Sequence, residues 1–229
     1  MMERIKTGIR GFDKLVQGGI PRGSSTLLSG TPGTGKTIFG IEFVYRGAED
    51  FREPSLYVAF EEGIDNLLDQ AEQLNMDLNK FVERGQIVFF SIPAEEITNN
   101  TINEIIGLIE KHRIKRLVID SLSTLAINFP YAKENVDAAK SRFIYTFLNK
   151  IKKSGVTSIF ISHTSDEKSL SKDSISEFLC DGIVHLTFES MGGEFSRSLI
   201  VRKMRRTKND EDIHPLEISP KGLVVHSIK

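Results

Sequence analysis

The sequence predicts an α/β fold: a mostly parallel sheet flanked by helices, with antiparallel β-hairpins at its C-terminal end. Three observations carry that prediction. Apolar runs of strand length alternate with segments of helical period, the rhythm of a parallel sheet covered on both faces. A glycine-rich turn, "GTPGTGKT", falls between the first strong run and the first helical segment. Beyond Ser154 no helix of any length is expected, and four short strand-like stretches close the chain.

The elements follow in order. Strands are expected at Ser25–Ser29, Leu56–Phe60, Ile87–Phe90, Leu117–Asp120 and Thr157–Ser162. Helices are expected near Lys36–Gly47, Ile64–Leu74, Ile102–His112 and Asn135–Lys153. In the second helix Ile64, Leu67, Leu68, Ala71 and Leu74 recur at helical spacing, and in the third Ile102, Ile105, Ile106 and Ile109 do so. Thr101 and Glu104 form a capping-box pattern at the start of the third. "DGIVHLTFES", "RSLIVRKM", "HPLEIS" and "GLVVHS" read as antiparallel hairpins, with "MGGEF" and "SPKG" as turns. No linker, repeat or low-complexity tract divides residues 1–229, so one domain is expected.

Composition narrows the function classes. The chain of 229 residues has a net charge of −1, so any nucleic-acid contact must come from a local patch. Its single cysteine, Cys180, permits no internal disulfide. The five histidines show no metal-ligand spacing. "MMERIKTGIRG" lacks the apolar stretch of a signal peptide, and no run reaches transmembrane length. A cytoplasmic protein that does not enter a membrane is expected.

The turn fits G-x-x-x-x-G-K-[ST] over Gly30, Thr31, Pro32, Gly33, Thr34, Gly35, Lys36 and Thr37. Glycines let backbone N–H groups turn inward around phosphates. Lys36 can reach the outer phosphates, the Thr37 hydroxyl can ligate Mg²⁺, and the helix N-terminus favours the same anion. A phosphoryl-transfer site also needs a carboxylate to orient the metal and a group to activate water. Asp120, at the end of "RLVID", is the metal candidate. "YVAFEE" places Glu61 and Glu62 at a strand's carboxyl end, where open α/β sheets keep their ligands. Either can polarise water, a contribution of roughly 10²–10⁴-fold in rate. "IFISH" closes a third strand with Ser162 and His163, and Ser162 is a candidate γ-phosphate sensor.

"RKMRRT" poses a different problem. On a strand, Lys203 and Arg205 share one face. In a monomer they would be ordinary solvated charge. In a ring they could reach a neighbour's nucleotide in trans.

Taken together these motifs resemble the KaiC-like ATPases of the RecA/RadA/DnaB superfamily. "TGIRGFDKLVQGGIPRGSSTLLSGTPGTGKT" resembles the opening of such a domain, followed in order by "YVAFEE", "LVIDSLSTLA", "EFLCDGIVHL", "SRSLIVRKMR" and "ISPKGLVV". The resemblance covers nearly the whole chain and a single such domain, whereas the family's clock protein carries two. It implies a RecA-like P-loop fold with ATP held between subunits of a ring, commonly a hexamer. It assigns Lys36 and Thr37 to phosphates and Mg²⁺, Glu61 and Glu62 to catalysis, and Asp120 to the metal. It places Lys203 and Arg205 at the neighbour's nucleotide, with Met204 and Thr207 lining the same pocket.

Departures from the family pattern matter too. In the second half of the clock protein a Ser-Thr pair is autophosphorylated. Glu177 and Phe178 stand at the matching place, as in its first half, so phosphorylation there is not expected. After "RKMR" that first half has glycine, where this chain has Arg206. No DNA-binding domain or polymerisation arm like those of filament-forming recombinases is read before Thr7, so strand exchange is not expected.

The leading expectation is a Mg²⁺-dependent ATPase ring whose turnover drives or times a regulatory change, with a protein partner or single-stranded DNA both open. The alternatives are a recombination or repair accessory binding single-stranded DNA, and a serine/threonine autokinase or signalling scaffold. "HTSDEKSLSKDS", which mixes Asp166, Glu167 and Asp173 with Lys168 and Lys172, is near-neutral. The basic density in "HRIKR" and "NKIKKSG" is expected on helix surface, so strong phosphate-backbone binding is not predicted.

Overall fold

The fold is that of a computed structural model describing residues 2–130, 135–164, 169–171, 175–188 and 196–228. A short ribbon of β1 (Arg4–Ile5) and β2 (Ile20–Pro21) encloses α1 (Phe12–Leu15). Then come β3 (Ser25–Gly30), α2 (Lys36–Phe51), β4 (Ser55–Ala59), α3 (Ile64–Gln73), α4 (Asn79–Glu83) and β5 (Ile87–Ser91). A 3₁₀ turn at Ala94–Glu96 leads to α5 (Thr101–Lys111), β6 (Arg116–Asp120), α6 (Leu122–Asn128), α7 (Val136–Lys153) and β7 (Thr157–His163). The chain ends with α8 (Ile175–Leu179), β8 (Gly182–Phe188), β9 (Arg197–Met204), β10 (Ile213–Ser219) and β11 (Gly222–Val225).

Nine strands form one sheet in the order β11-β10-β9-β8-β3-β7-β6-β4-β5. The six from β8 to β5 are parallel, and β9, β10 and β11 extend the sheet antiparallel. Strand alternation sends successive side chains to opposite faces. Leu28, Tyr57, Val118 and Ile161 pack with α2, α3 and α4 on one face. Leu27, Val58, Ile119 and Phe160 pack with α5, α6 and α7 on the other. These strands are apolar at nearly every position because both faces are covered.

"DGIVHLTF" pairs antiparallel with "RSLIVRKM" as expected, and β8 also lies parallel to β3, joining the two parts of the sheet. Three expectations need correction. A short helix, α8, does follow Ser154; at five residues it is too short to display a period. The capping box is not formed. Asn100 holds the cap position of α5, Thr101 Oγ1 accepts the Thr98 N–H, and Glu104 accepts from the Asn100 side chain.

Arg116 of "HRIKR" is not on a helix surface. It is fully buried in β6, 2.7 Å from the Glu53 carboxylate, and donates to the carbonyls of Phe43 and Lys6. Gly47 in α2 makes room, since a Cβ there would lie 2.5 Å from Arg116 Cδ. The "MGGEF" turn and the charged residues Asp166, Glu167, Lys168, Lys172 and Asp173 lie outside the described residues.

Candidate functional site

The carboxyl ends of β3, β4, β6 and β7 converge, and the site is built there. β3 runs into the glycine loop at Gly30, where a Cβ would sit 2.4 Å from the Leu186 carbonyl oxygen, so only glycine fits beside β8. Pro32 and Gly33 form the exposed crest, while Thr34 is buried and its hydroxyl donates to the Thr31 carbonyl at 2.9 Å. Gly35 adopts φ +98 and opens α2. The Lys36 ammonium donates to the Thr31 carbonyl at 2.7 Å. Burial lowers its pKa to about 8, against the opposing pull of Asp120 and Glu61.

Asp120 ends β6, 9% exposed. Its Oδ2 accepts the Thr37 hydroxyl at 3.0 Å and the buried Tyr57 hydroxyl at 2.7 Å. Burial raises its pKa, and the two hydroxyl donors oppose that shift. Thr37 and Asp120 thus adjoin at the start of the helix, an all-oxygen pair that suits Mg²⁺. That ion is commonly held by one or two protein oxygens, substrate phosphate and water.

The two glutamates point to different places. Glu61 accepts from the hydroxyls of Ser121 and Thr124, and its Oε1 lies 3.2 Å from His163 Nε2. The His163 contact lowers its carboxyl pKa to about 2, with the hydroxyl donors assisting and burial opposing. Glu62 instead accepts from Gln70 Nε2 on α3 at 2.6 Å. It shares with Glu61 the wall of a groove of about 440 Å³ that runs toward Ser91–Glu95. Of the pair, Glu61 is the one whose charge is felt at both Lys36 and Asp120.

Ser162 is 1% exposed, and its hydroxyl lies 3.2 Å from that of Ser123. The side chain of β7 that meets Glu61 is its neighbour His163. Lys203 and Arg205 lie elsewhere. The Lys203 ammonium donates to the carbonyls of Glu177 and Cys180, at 3.0 and 2.8 Å. Arg205 donates to the Phe178 carbonyl at 2.9 Å and pairs with Asp181 at 3.3 Å. Both therefore cap the end of α8. Met204 is buried, its thioether covering Gly182 in the core. The Thr207 hydroxyl accepts from Arg4 at 3.0 Å.

Several contributors were not singled out by sequence. Tyr57 lies within an apolar run, and Ser121 and Thr124 follow Asp120 in what reads as ordinary helix start. Arg197 in β9 donates to the Gly33 carbonyl at 2.9 Å and stacks over Phe188. Its only sequence signal was position, since "SRSLIVRKMR" alternates polar and apolar.

A mostly parallel sheet, a glycine loop closed by Lys36 and Thr37, and an aspartate ending a nearby strand define a RecA-like P-loop nucleotide-binding ATPase fold. The KaiC ATPase family matches residues 5–229, and the chain belongs to that family. A UPF0273 protein of Methanocaldococcus jannaschii is 35% identical, the alignment covering 100% of this chain and 98% of that protein. The circadian clock oscillator protein KaiC of Synechococcus elongatus is 29% identical, covering 96% of this chain and 43% of its own length. The crystal structure of a KaiC-like protein from Pyrococcus horikoshii superposes with a TM-score of 0.88 at 32% identity, covering 99% of this chain and all of that one. Among the described residues no helix is long and apolar enough to cross a membrane.

Proposed function

We propose that this protein hydrolyses ATP with Mg²⁺ at a site shared between subunits of a ring, and that turnover drives a regulatory change in a protein partner. The observation that carries the reading is a division of the catalytic set. Lys36, Thr37, Asp120 and Glu61 gather at the carboxyl ends of the parallel strands, whereas Arg205 sits at the other end. Its partner Asp181 bonds to Ser25, the first residue of β3. Ser25 is five residues from Gly30, roughly 16 Å along a strand.

Backbone N–H groups of Gly33–Thr37 cradle the phosphates, and Lys36 supplies a point charge to the outer ones. Thr37 and Asp120 would hold the metal, which neutralises charge developing on the phosphates. Glu61, ionised at any physiological pH, accepts the hydrogen of a water and orients it for in-line attack. A carboxyl at about 2 is a weak proton acceptor, so orientation outweighs proton removal. His163 is the polar group at the end of β7 that holds Glu61 in line, and Ser162 beside it remains the candidate sensor of the γ-phosphate. Lys203 and Arg205 act on the neighbour's nucleotide, where they leave the α8 carbonyls or carry α8 with them.

The test is mass and turnover together. Native mass is measured with and without ATP, and Lys36→Ala is expected to lose ATP binding. Mixing Arg205→Ala with Glu61→Gln, each impaired alone, is expected to raise turnover above the average of the two. Full turnover by a strict monomer would refute the shared site. Turnover unchanged by single-stranded DNA is expected; strong stimulation would favour a repair role.

A further inference from the structure

The loop after β9 carries Lys203 and Arg205 at its root, and its support comes from the other end of the chain. Arg4, in β1, spreads its guanidinium over five acceptors. Nη1 donates to the carbonyls of Val16 and Gly19, at 3.2 and 3.0 Å, and to Thr207 Oγ1 at 3.0 Å. Nη2 donates to Gln17 Oε1 at 3.2 Å and to the Arg206 carbonyl at 3.4 Å. Three of these acceptors belong to the turn between α1 and β2, and two to the loop. Gln17 Oε1 also accepts the Lys208 N–H, and the Leu15 carbonyl accepts the Asp210 N–H.

The loop needs such anchors. Its turn is closed by Thr207 N–H to the Met204 carbonyl at 3.2 Å. Arg206 within it stands at φ +59, a left-handed conformation that L-residues disfavour. Arg205 itself is half exposed, its contacts with α8 and Asp181 made near the surface. A planar guanidinium offers five donors in a fixed fork, so it can fix two segments at once where an ammonium cannot.

We propose that Arg4 is a positioning residue for the neighbouring subunit's nucleotide, clamping Arg206 and Thr207 to the α1–β2 turn so that Lys203 and Arg205 are presented at a fixed reach. The proposal rests on the shared-site reading above. Arg4 acts through the loop, because its fork is occupied by carbonyls, an amide and a hydroxyl of its own chain. Misplacing a catalytic group by about 1 Å can cost 10²-fold, so loss of the clamp is expected to lower kcat about ten-fold or more. KM for ATP, set by the cradle, is expected to stay within about two-fold.

The experiment is complementation in mixed assemblies. Arg4→Ala retains a sound cradle and Glu61 but presents poor fingers. Glu61→Gln retains good fingers but lacks its own carboxylate. Each is weak alone. Mixed one to one, about a quarter of subunit junctions combine an intact Glu61 with well-presented fingers, so turnover is expected to recover to about a quarter of wild type. Arg205→Ala mixed with Glu61→Gln runs beside it. If that pair recovers and the Arg4→Ala pair does not, the clamp is wrong and the shared site stands. If neither recovers, the shared site is wrong and the clamp falls with it. Wild-type kcat for Arg4→Ala alone also overturns the clamp. Should Arg4→Ala fold poorly, Arg4→Lys serves in its place, with turnover between those of Arg4→Ala and wild type expected and the same complementation.

Discussion

Glu61 Oε1 lies 3.2 Å from His163 Nε2, joining the ends of two strands that β6 separates. Glu62, one residue on, is drawn away to Gln70 on α3. In the bend that follows β4 the two carboxylates diverge, and it is Glu61 whose charge acts on Lys36 and Asp120. The arrangement distinguishes two glutamates that look equivalent in "YVAFEE".

Glu61→Gln is therefore expected to lower kcat by about 10²-fold or more while ATP still binds. Glu62→Gln is expected to stay within about three-fold of wild type, since its partner is a neutral amide outside the phosphate cluster. Single-turnover hydrolysis of radiolabelled ATP separates the two. Equal losses would make the glutamates a functional pair.

His163→Gln is expected to move the acid limb of turnover. The imidazole contact is the largest cause holding the Glu61 carboxyl at about 2, against an ordinary 4.5. Any stability that Glu61 gains from its partners is present above the unfolded value of 4.5 and lost as pH falls through about 2. Without His163 the carboxyl rises toward 4.5, so the variant loses turnover on acidification between about pH 5 and 4, where wild-type Glu61 stays ionised. Profiles of kcat between pH 4 and 8 decide the matter, and superimposable acid limbs would exclude the contact from function.

Arg206→Gly is expected to stabilise the fold by about 1 kcal/mol. The residue sits at φ +59, and it is its backbone carbonyl that meets Arg4, so glycine relieves strain without removing that contact. Arg206→Ala keeps the Cβ and should gain nothing. Urea midpoints of the two variants provide the comparison, and an equal or lower midpoint for the glycine variant would contradict the strain.

How far the sequence could be read follows from where each residue's partners lie. Lys36, Thr37, Asp120 and Glu61 sit where apolar runs stop, and a strand's end is visible in a linear pattern. His163 and Ser162 share such an end, but that His163 meets Glu61 and Ser162 meets Ser123 depends on how β7 is set beside β6 in the sheet. Tyr57 was hidden because a tyrosine within "LYVAF" looks like any strand aromatic until Asp120 is brought to its hydroxyl. Arg116 looked like surface charge because Glu53, which makes its burial tolerable, comes 63 residues earlier. Arg4 touches Arg206 across almost the entire chain, a distance no local period records.

Glu42 is expected to make stability fall as pH rises from about 4.5 to 7. It lies on α2, 1% exposed, and its Oε2 accepts the Leu223 N–H at 2.7 Å. Gly222, at φ +105, lets the β10–β11 turn approach so closely that a Cβ there would sit 2.5 Å from that oxygen. Burial raises the carboxyl pKa to about 7, although the Leu223 N–H and Arg46, 3.5 Å away, pull it down; Asp50 adds a smaller upward push. Between 4.5 and 7 the folded chain holds a proton that the unfolded chain has released, so each unit of pH in that window lowers stability. The full span is worth about 3 kcal/mol. In Glu42→Gln the amide oxygen can still accept the Leu223 N–H, and nothing titrates. The variant should match wild type within about 1 kcal/mol at pH 5 and exceed it by about 2 kcal/mol at pH 8. Urea unfolding at the two pH values measures this. If both proteins changed equally with pH, Glu42 would be ionised in the fold throughout and held by Arg46, and Arg46→Ala would then be the more damaging substitution at pH 8.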